Sequence, residues 1–293
     1  MKKTGLLILT LLLFIPTACT KNNGDGSSAL RVDKSGNLLG TGDSANDILS
    51  NTNFNKLQVE IAYVTGFRPT IQAMADFNDF LREYTFKEDI EIIYTELASP
   101  NEESLTLEEI DDLEQENRTA YNTEDTLAIY IYFADAPADG DEEEEGLVTL
   151  GAVYRNTSMV IHGITIRRLA ARSTIISDGD IEGATLNHEF GHLFGLVNLG
   201  TVPVNPDHED TEAANHCNVE GCLMRAELQF GRVPTAKSRT LMAKSAYEAG
   251  IPSGCILSGQ MVMGLLHSNT GKAAIVPRLD AECVLDLQSN GGR

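Results

Sequence analysis

The chain has 293 residues, of which 43 are acidic and 22 are basic, giving a formal net charge of −21 at pH 7. A chain with this charge repels the phosphate backbones of DNA and RNA, so nucleic acid is excluded as an expected partner. Residues 56–293 are numerous enough for one large domain with a cleft or for two small lobes.

The first 18 residues have the features of an export signal. A basic start precedes an apolar run over residues 6–15, which is too short to cross a bilayer comfortably. The sequence Pro-Thr-Ala-Cys at residues 16–19 resembles a bacterial lipoprotein cleavage site, although Pro16 replaces the usual leucine. We therefore expect a lipoprotein signal peptide over residues 1–18 and a lipid on Cys19. This lipid would anchor the protein in a membrane of the bacterial cell envelope, outside the cytoplasm, at the outer membrane or cell surface. An ordinary secretory signal is the alternative.

Two polar segments lack a periodic pattern. Residues 19–55 are rich in Asn, Gly, Ser and Asp, which predicts a flexible tether between the anchor and a domain over residues 56–293. Residues 139–145 are dominated by Asp and Glu, which predicts a solvated loop. Calcium is an alternative role for this loop, although the residue order does not fit an EF-hand.

Strand and helix patterns alternate from residue 57 onwards. Runs rich in β-branched and aromatic residues predict strands over residues 57–65, 89–97, 126–134 and 147–155, with short strands over 159–162 and 173–176. Helical spacing predicts helices over residues 70–84 and 105–116, and later over 236–249 and 280–288. This order predicts an α/β (α+β) fold with a mixed sheet.

Residues 188–195 carry the strongest chemical signal, His-Glu-Phe-Gly-His-Leu-Phe-Gly. On a helix that begins near residues 178–180, His188 and His192 lie one turn apart on the same face. Two imidazoles in this position suit Zn²⁺, and Glu189 can take a proton from a water molecule beside the metal. The alternative is a surface helix with two hydrogen-bonded histidines.

The pattern H-E-x-x-H-x-x-G, which Gly195 completes, resembles the metzincin clan of zinc metalloproteases. A third histidine normally follows the glycine by three residues, but that position is Asn198 here, a poor zinc ligand. The resemblance implies instead that His216 is the third ligand. The spacing from His216 to Met224 matches that of matrixins and archaemetzincins, in which this methionine lies beneath the zinc. Residues 198–215 would then be an inserted loop, and His208 within it is the rival third ligand.

Four cysteines follow Cys19, namely Cys217, Cys222, Cys255 and Cys283. An even number in an exported protein predicts disulfides, and the favoured pairs are Cys217 with Cys222 and Cys255 with Cys283. Cys217 and Cys222 also resemble the archaemetzincin pattern, which implies the competing possibility of a second zinc held by cysteines.

The resemblance, which is specific over residues 188–224, implies a metzincin-like architecture. A twisted mixed sheet with helices would form an upper subdomain, followed by the active-site helix and a small irregular or helical lower subdomain. It implies a zinc metalloendopeptidase with one catalytic zinc on His188, His192 and His216, and with Glu189 as general base. A protein or peptide substrate would pair with an edge strand, for which residues 147–155 are the candidate. We expect a monomer. The alternative is an inactive zinc-containing lipoprotein that serves as a binding module.

Overall fold

The computed structural model describes residues 32–142, 148–228, 230 and 276–293. These residues belong almost entirely to one compact unit, Asp33–Arg293. The predicted signal peptide, the lipid site at Cys19, the helix predicted over residues 236–249 and Cys255 lie outside the described residues. Within the described part of the chain, no helix is long and apolar enough to cross a membrane.

The predicted order of strands and helices is present, which confirms the mixed α/β fold class. The strands are β1 (Lys56–Val64), β2 (Asp89–Leu97), β3 (Thr126–Ala134), β4 (Gly151–Arg155) and β5 (Ser158–His162). The helices are α1 (Ala45–Leu49), α2 (Ile71–Tyr84), α3 (Leu107–Asn117), α4 (Gly163–Ala170), α5 (Asp178–Leu193) and α6 (Ala281–Ser289).

The strands form one sheet in the order β2-β1-β3-β5-β4. β1 pairs in parallel with β2 and β3, because α2 and α3 carry the chain back between these successive strands. β3 also pairs in parallel with β5, which follows it in the chain after β4. β4 is antiparallel to β5 and forms one edge of the sheet. β3 is central, and all of its residues except the first are buried, as expected for a strand covered on both faces.

Helix α2 fixes the position of α5 through packed aromatic rings. α2 begins at an N-cap in which the Thr70 hydroxyl accepts a hydrogen bond from the amide of Ala73. The ring of Phe77 meets the ring of Phe190 on α5 edge to face, with centroids 5.1 Å apart. Because both rings are fully buried, α5 is held rigidly against the core.

The region between β5 and α5 differs from the prediction. A helix, α4, follows β5 directly, and the strand predicted over residues 173–176 is a bend. The hydroxyl of Ser173 accepts hydrogen bonds from the backbone amides of Ile175 and Ile176 at 3.2 and 2.9 Å. This local bonding replaces the ladder bonds that a strand would need.

Residues 33–55 differ from the predicted flexible tether. α1 buries Ile48 and Leu49 completely in the main core. The ammonium of Lys87 donates hydrogen bonds to the carbonyl oxygens of Asp47 and Ser50 at 2.6 Å each, and also to that of Phe54. This part of the chain is therefore packed into the domain.

His162, at the end of β5, is a buried histidine with a structural contact. Its Nδ1 lies 2.9 Å from the carbonyl oxygen of Ala136, to which it can donate a hydrogen bond. Burial lowers the pKa of this imidazole to about 4, so the ring is neutral in the folded protein at pH 7.

We expect this neutral imidazole to make folding sensitive to acid. The unfolded chain binds a proton on His162 near pH 6.5, whereas the folded chain binds it only near pH 4. The wild type should therefore lose up to about 3 kcal/mol of unfolding free energy, relative to His162→Gln, as the pH falls through this window. Urea denaturation of both proteins at several pH values measures the difference, and parallel pH profiles would contradict the prediction.

Candidate metal centre

Helix α5 carries the His-Glu-x-x-His sequence between two well-defined ends. At its start the Ser177 hydroxyl accepts a bond from the amide of Asp180, and the Asp180 carboxylate accepts one from the amide of Ser177. At its end Gly195 has a φ of 73°, and a Cβ there would lie 2.7 Å from the backbone nitrogen of Thr201. Glycine is therefore required where the chain turns away just after His192.

The structure brings His188, His192 and His216 together. The Nε2 atoms of His188 and His192 are 3.0 Å apart. The ring of His216 lies with its centroid 5.5 Å from that of His188 and 5.3 Å from that of His192. One ring nitrogen from each histidine lies within 4.8 Å of the other two, so all three can bind a single ion.

Hydrogen bonds to two of the rings orient their nitrogens. Nδ1 of His188 lies 2.7 Å from the carbonyl oxygen of Leu223, and Nδ1 of His216 lies 3.0 Å from that of Ala214. With Nδ1 donating to these carbonyls, the Nε2 lone pairs are left for a metal.

Burial keeps all three rings neutral, which is the form that binds a metal. Burial and the neighbouring His216 lower the pKa of His188 to about 3. Burial lowers the pKa of His216 to about 4 and holds that of His192 well below its usual value. Nδ1 of His192 is buried and has no hydrogen-bond partner within the described part of the protein. The donor set therefore fits zinc.

Glu189 lies fully buried, next to His188 in the chain. Neither of its carboxylate oxygens has a hydrogen-bond partner among the residues that the structure describes. Burial raises the pKa of this carboxyl well above its usual value. A Cβ on Gly151 of β4 would lie 2.8 Å from Cγ of Glu189 and 3.1 Å from Oε1, so only glycine leaves room for this side chain beside the edge strand.

Met224 packs directly on the helix that carries the two histidines. It is fully buried, and a Cβ on Gly191 would lie 2.3 Å from its sulfur. Gly191 thus allows the thioether to rest against the α5 backbone next to His192. This contact supports the prediction of a hydrophobic floor.

Asn198 and His208 lie away from this group. Asn198 has a left-handed φ of 67°, and its amide donates a hydrogen bond to the carboxylate of Glu209. Nε2 of His208 lies 2.8 Å from a carboxylate oxygen of Asp286 on α6, where the two groups form a buried ion pair if the ring is protonated. The chain therefore returns to the three-histidine centre at His216, whereas His208 contacts Asp286 on α6 outside that centre.

A second group of possible metal ligands consists of Cys217, Cys222, Asp280 and Cys283, which we call the cysteine cluster. The sulfur of Cys217 lies 3.0 Å from a carboxylate oxygen of Asp280, and the sulfurs of Cys222 and Cys283 lie 3.7 Å apart. Hydrogen bonds from the thiols of Cys222 and Cys283 hold the pKa of Cys217 below its usual range. A thiolate at Cys217 would be ready to bind a metal.

The cysteine cluster corrects one prediction and adds a residue that sequence reasoning missed. Cys217, Cys222 and Cys283 are free thiols, so the favoured disulfide between Cys217 and Cys222 is absent. Asp280 was not predicted. The available signal was the spacing of Asp280 and Cys283 at a helix start, which places them one turn apart. Asp280 also caps α6, because its carboxylate accepts bonds from the amides of Glu282 and Cys283.

Comparison with known proteins finds a likeness to solved structures but not to families or curated sequences. No family model matches the sequence, and no curated protein matches it. The crystal structure of archaemetzincin from Methanopyrus kandleri is similar with a TM-score of 0.43 and 14% sequence identity, covering 80% of this chain and 96% of that chain. At this level the likeness carries no argument about activity.

The geometry predicts different effects for two histidine substitutions. His216→Ala should lower the zinc content of the purified protein by one ion per chain, because it leaves only two imidazoles at the centre. His208→Ala, which removes a ring outside that centre, should retain the zinc. Atomic emission after dialysis measures both, and zinc loss in the His208 variant alone would move the third ligand to the inserted loop.

Proposed function

We propose that the protein is a zinc-dependent endopeptidase. The observation that carries this proposal is the convergence of His188, His192 and His216, all neutral and buried, at α5, the helix in which the buried Glu189 directly follows His188. A buried carboxylate without a protein partner is costly to maintain unless it serves a cation, a water molecule or a reacting group.

The reaction follows from these groups. When bound, zinc supplies Lewis acidity toward a peptide carbonyl and a water molecule. Glu189 accepts a proton from the water and passes it to the amine that leaves when the peptide bond breaks. His188, His192 and His216 would hold the metal.

β4 is the candidate site for substrate pairing. It forms the sheet edge next to α5, and Gly151 places its backbone against Glu189. An extended peptide would pair with the side of β4 on which the described residues place no strand, through main-chain hydrogen bonds that provide binding with little sequence preference. In this arrangement the peptide bond to be cleaved would lie close to Glu189, the proposed general base.

We further propose that the cysteine cluster binds a second, structural zinc. Three sulfurs and one carboxylate give the four ligands typical of a closed zinc site. A disulfide between Cys222 and Cys283 is the competing state in an oxidising compartment. Two zinc ions per chain in the protein as purified would support the metal, whereas one zinc and a loss of free thiols would support the disulfide.

The proposed location rests on the first 19 residues of the sequence. A lipid on Cys19 would hold the catalytic domain at a membrane of the cell envelope, outside the cytoplasm. Mass spectrometry of the mature N-terminus tests this directly, since acyl chains on Cys19 and an unmodified, differently cleaved N-terminus differ in mass.

A binding module without activity is the second candidate function. Asn198 favours it, because this residue replaces the histidine usual in the resembled clan. Glu189 argues against it, since metal binding alone does not require a buried general base.

Substitution of the base separates the two functions. We expect Glu189→Gln to retain zinc and to lower the rate of cleavage of a mixed protein library by about 100-fold or more, because the amide cannot accept the proton. Peptide products are counted by mass spectrometry for both proteins. Equal inactivity of the wild type and the variant, with zinc present in both, would support the binding module.

Gly151 provides a test of how Glu189 is positioned. In Gly151→Ala the new methyl group would meet the Glu189 side chain at 2.8 Å, so the carboxylate must move. We expect kcat to fall by about 10- to 100-fold with unchanged zinc content, because small displacements of a catalytic group are costly. The matched control is Gly40→Ala, whose nearest contact is the flexible carboxylate of Asp43 at 3.2 Å. An equal loss of activity in both variants would rule out the positioning role.

A further inference from the structure

One short segment, residues 216–224, carries parts of both the histidine centre and the cysteine cluster. We call it the connecting segment. His216 of the histidine centre is bonded directly to Cys217 of the cluster. At the other end, Cys222 of the cluster is followed by Leu223, whose carbonyl oxygen lies 2.7 Å from Nδ1 of His188. At each end of the segment, a residue of the cysteine cluster is therefore the direct chain neighbour of a residue that belongs to the histidine centre or bonds to it.

Hydrogen bonds close the connecting segment into a compact loop. The amide of Cys217 donates to the carbonyl oxygen of Met224 at 2.8 Å, which ties the two ends together. The amide of Leu223 donates to the carbonyl oxygen of Arg278 at 2.8 Å, which ties the segment to the chain before α6. If Cys217 or Cys222 moves, His216 and the carbonyl of Leu223 must therefore move with it.

Groups outside the connecting segment hold the cysteine cluster in place. Asp280 and Cys283 belong to the first turn of α6 and its cap. His208 of the inserted loop supports Cys217, with Nδ1 3.6 Å from its sulfur and Nε2 2.8 Å from Asp286 on the same helix. The cluster is thus anchored to α6 on one side and to the inserted loop on the other.

A metal bound by the cysteine cluster would strengthen this anchoring. The thiol of Cys217 donates one hydrogen bond to a carboxylate oxygen of Asp280 at 3.0 Å, and the sulfurs of Cys222 and Cys283 lie 3.7 Å apart. A single ion bound by all four groups would replace these weak contacts with coordinate bonds that join both cysteines of the connecting segment to the first turn of α6. Without that ion, the segment is held by its hydrogen bonds alone.

We propose that the two centres are coupled, so that metal bound by the cysteine cluster fixes His216 and tightens metal binding at the histidine centre. This inference rests on the proposed function, since it takes both centres to be metal sites. Coupling is reciprocal, so metal at the histidine centre must tighten binding at the cluster by the same factor.

Titration of the metal-free, reduced full-length protein with Co²⁺ measures the affinity of each centre separately. Co²⁺ bound by thiolates gives strong charge-transfer absorption, which Co²⁺ bound only by imidazoles lacks. Cys283→Ala removes a cluster ligand from α6 and leaves the connecting segment unchanged. We expect this variant to bind Co²⁺ at the histidine centre about tenfold more weakly than the wild type. Leu285→Ala, an exposed position on the same helix, is the matched control and should bind as the wild type does.

The reciprocal arm uses His192→Ala, which removes a ligand from α5 and also leaves the connecting segment unchanged. We expect this variant to bind Co²⁺ at the cluster more weakly by the factor found in the first arm. Affinities at each centre that do not change when the other is disabled would overturn the coupling and leave the zinc peptidase intact. A wild-type histidine centre that binds no Co²⁺ would instead overturn the proposed function. If Cys283→Ala fails to fold by near-ultraviolet circular dichroism, the His192→Ala arm decides alone.

Discussion

The candidate site depends on one constraint, the close approach of two buried imidazole nitrogens. The Nε2 atoms of His188 and His192 lie 3.0 Å apart. With Nδ1 of His188 donating to the Leu223 carbonyl, its Nε2 presents a lone pair toward the other ring. Burial keeps both rings neutral, and a neutral His192 can satisfy this contact by donating a hydrogen bond from Nε2. A cation would take the place of this hydrogen bond by binding the Nε2 lone pairs of both rings, together with a nitrogen of His216.

The fold supplies the rigidity that this constraint requires. α5 is packed by the Phe77–Phe190 contact on one side and by Met224 on Gly191 on another, so its histidines cannot rotate apart. Two glycines allow close approach where a side chain would intrude, Gly151 beside Glu189 and Gly191 above Met224. The same packing that stabilises the core therefore also sets the distances at the site.

The parts of the structure that sequence could predict are those encoded locally. The central strands are continuous apolar runs, and α5 combines a capping serine with two histidines one turn apart, so both could be read from neighbouring residues. His216 could be proposed only through its spacing to Met224 in a known family. The spacing of Asp280 and Cys283 at a helix start could be read from the sequence, but their meeting with Cys217 could not, because it depends on how α6 docks against a distant stretch of chain. Residues 33–55 were misjudged because their polar composition conceals Ile48 and Leu49, whose burial depends on the finished core.

Asn198 stands where the resembled clan has its third histidine, so His216, the proposed third ligand, would be held in a different way. Val197 and Asn198 both have positive φ values, so the chain turns out of the α5 direction and returns only at His216. A ligand at position 198, shortly after the end of α5, would be placed by the helix itself. A ligand at the end of a long loop loses more conformational entropy when it is fixed. The hydrogen bonds of Glu209 to Asn198 and Asn215, and the contact of His208 with Cys217, reduce that freedom before any metal binds. A loop with its own anchors can therefore hold His216 in the position that the proposed metal site requires.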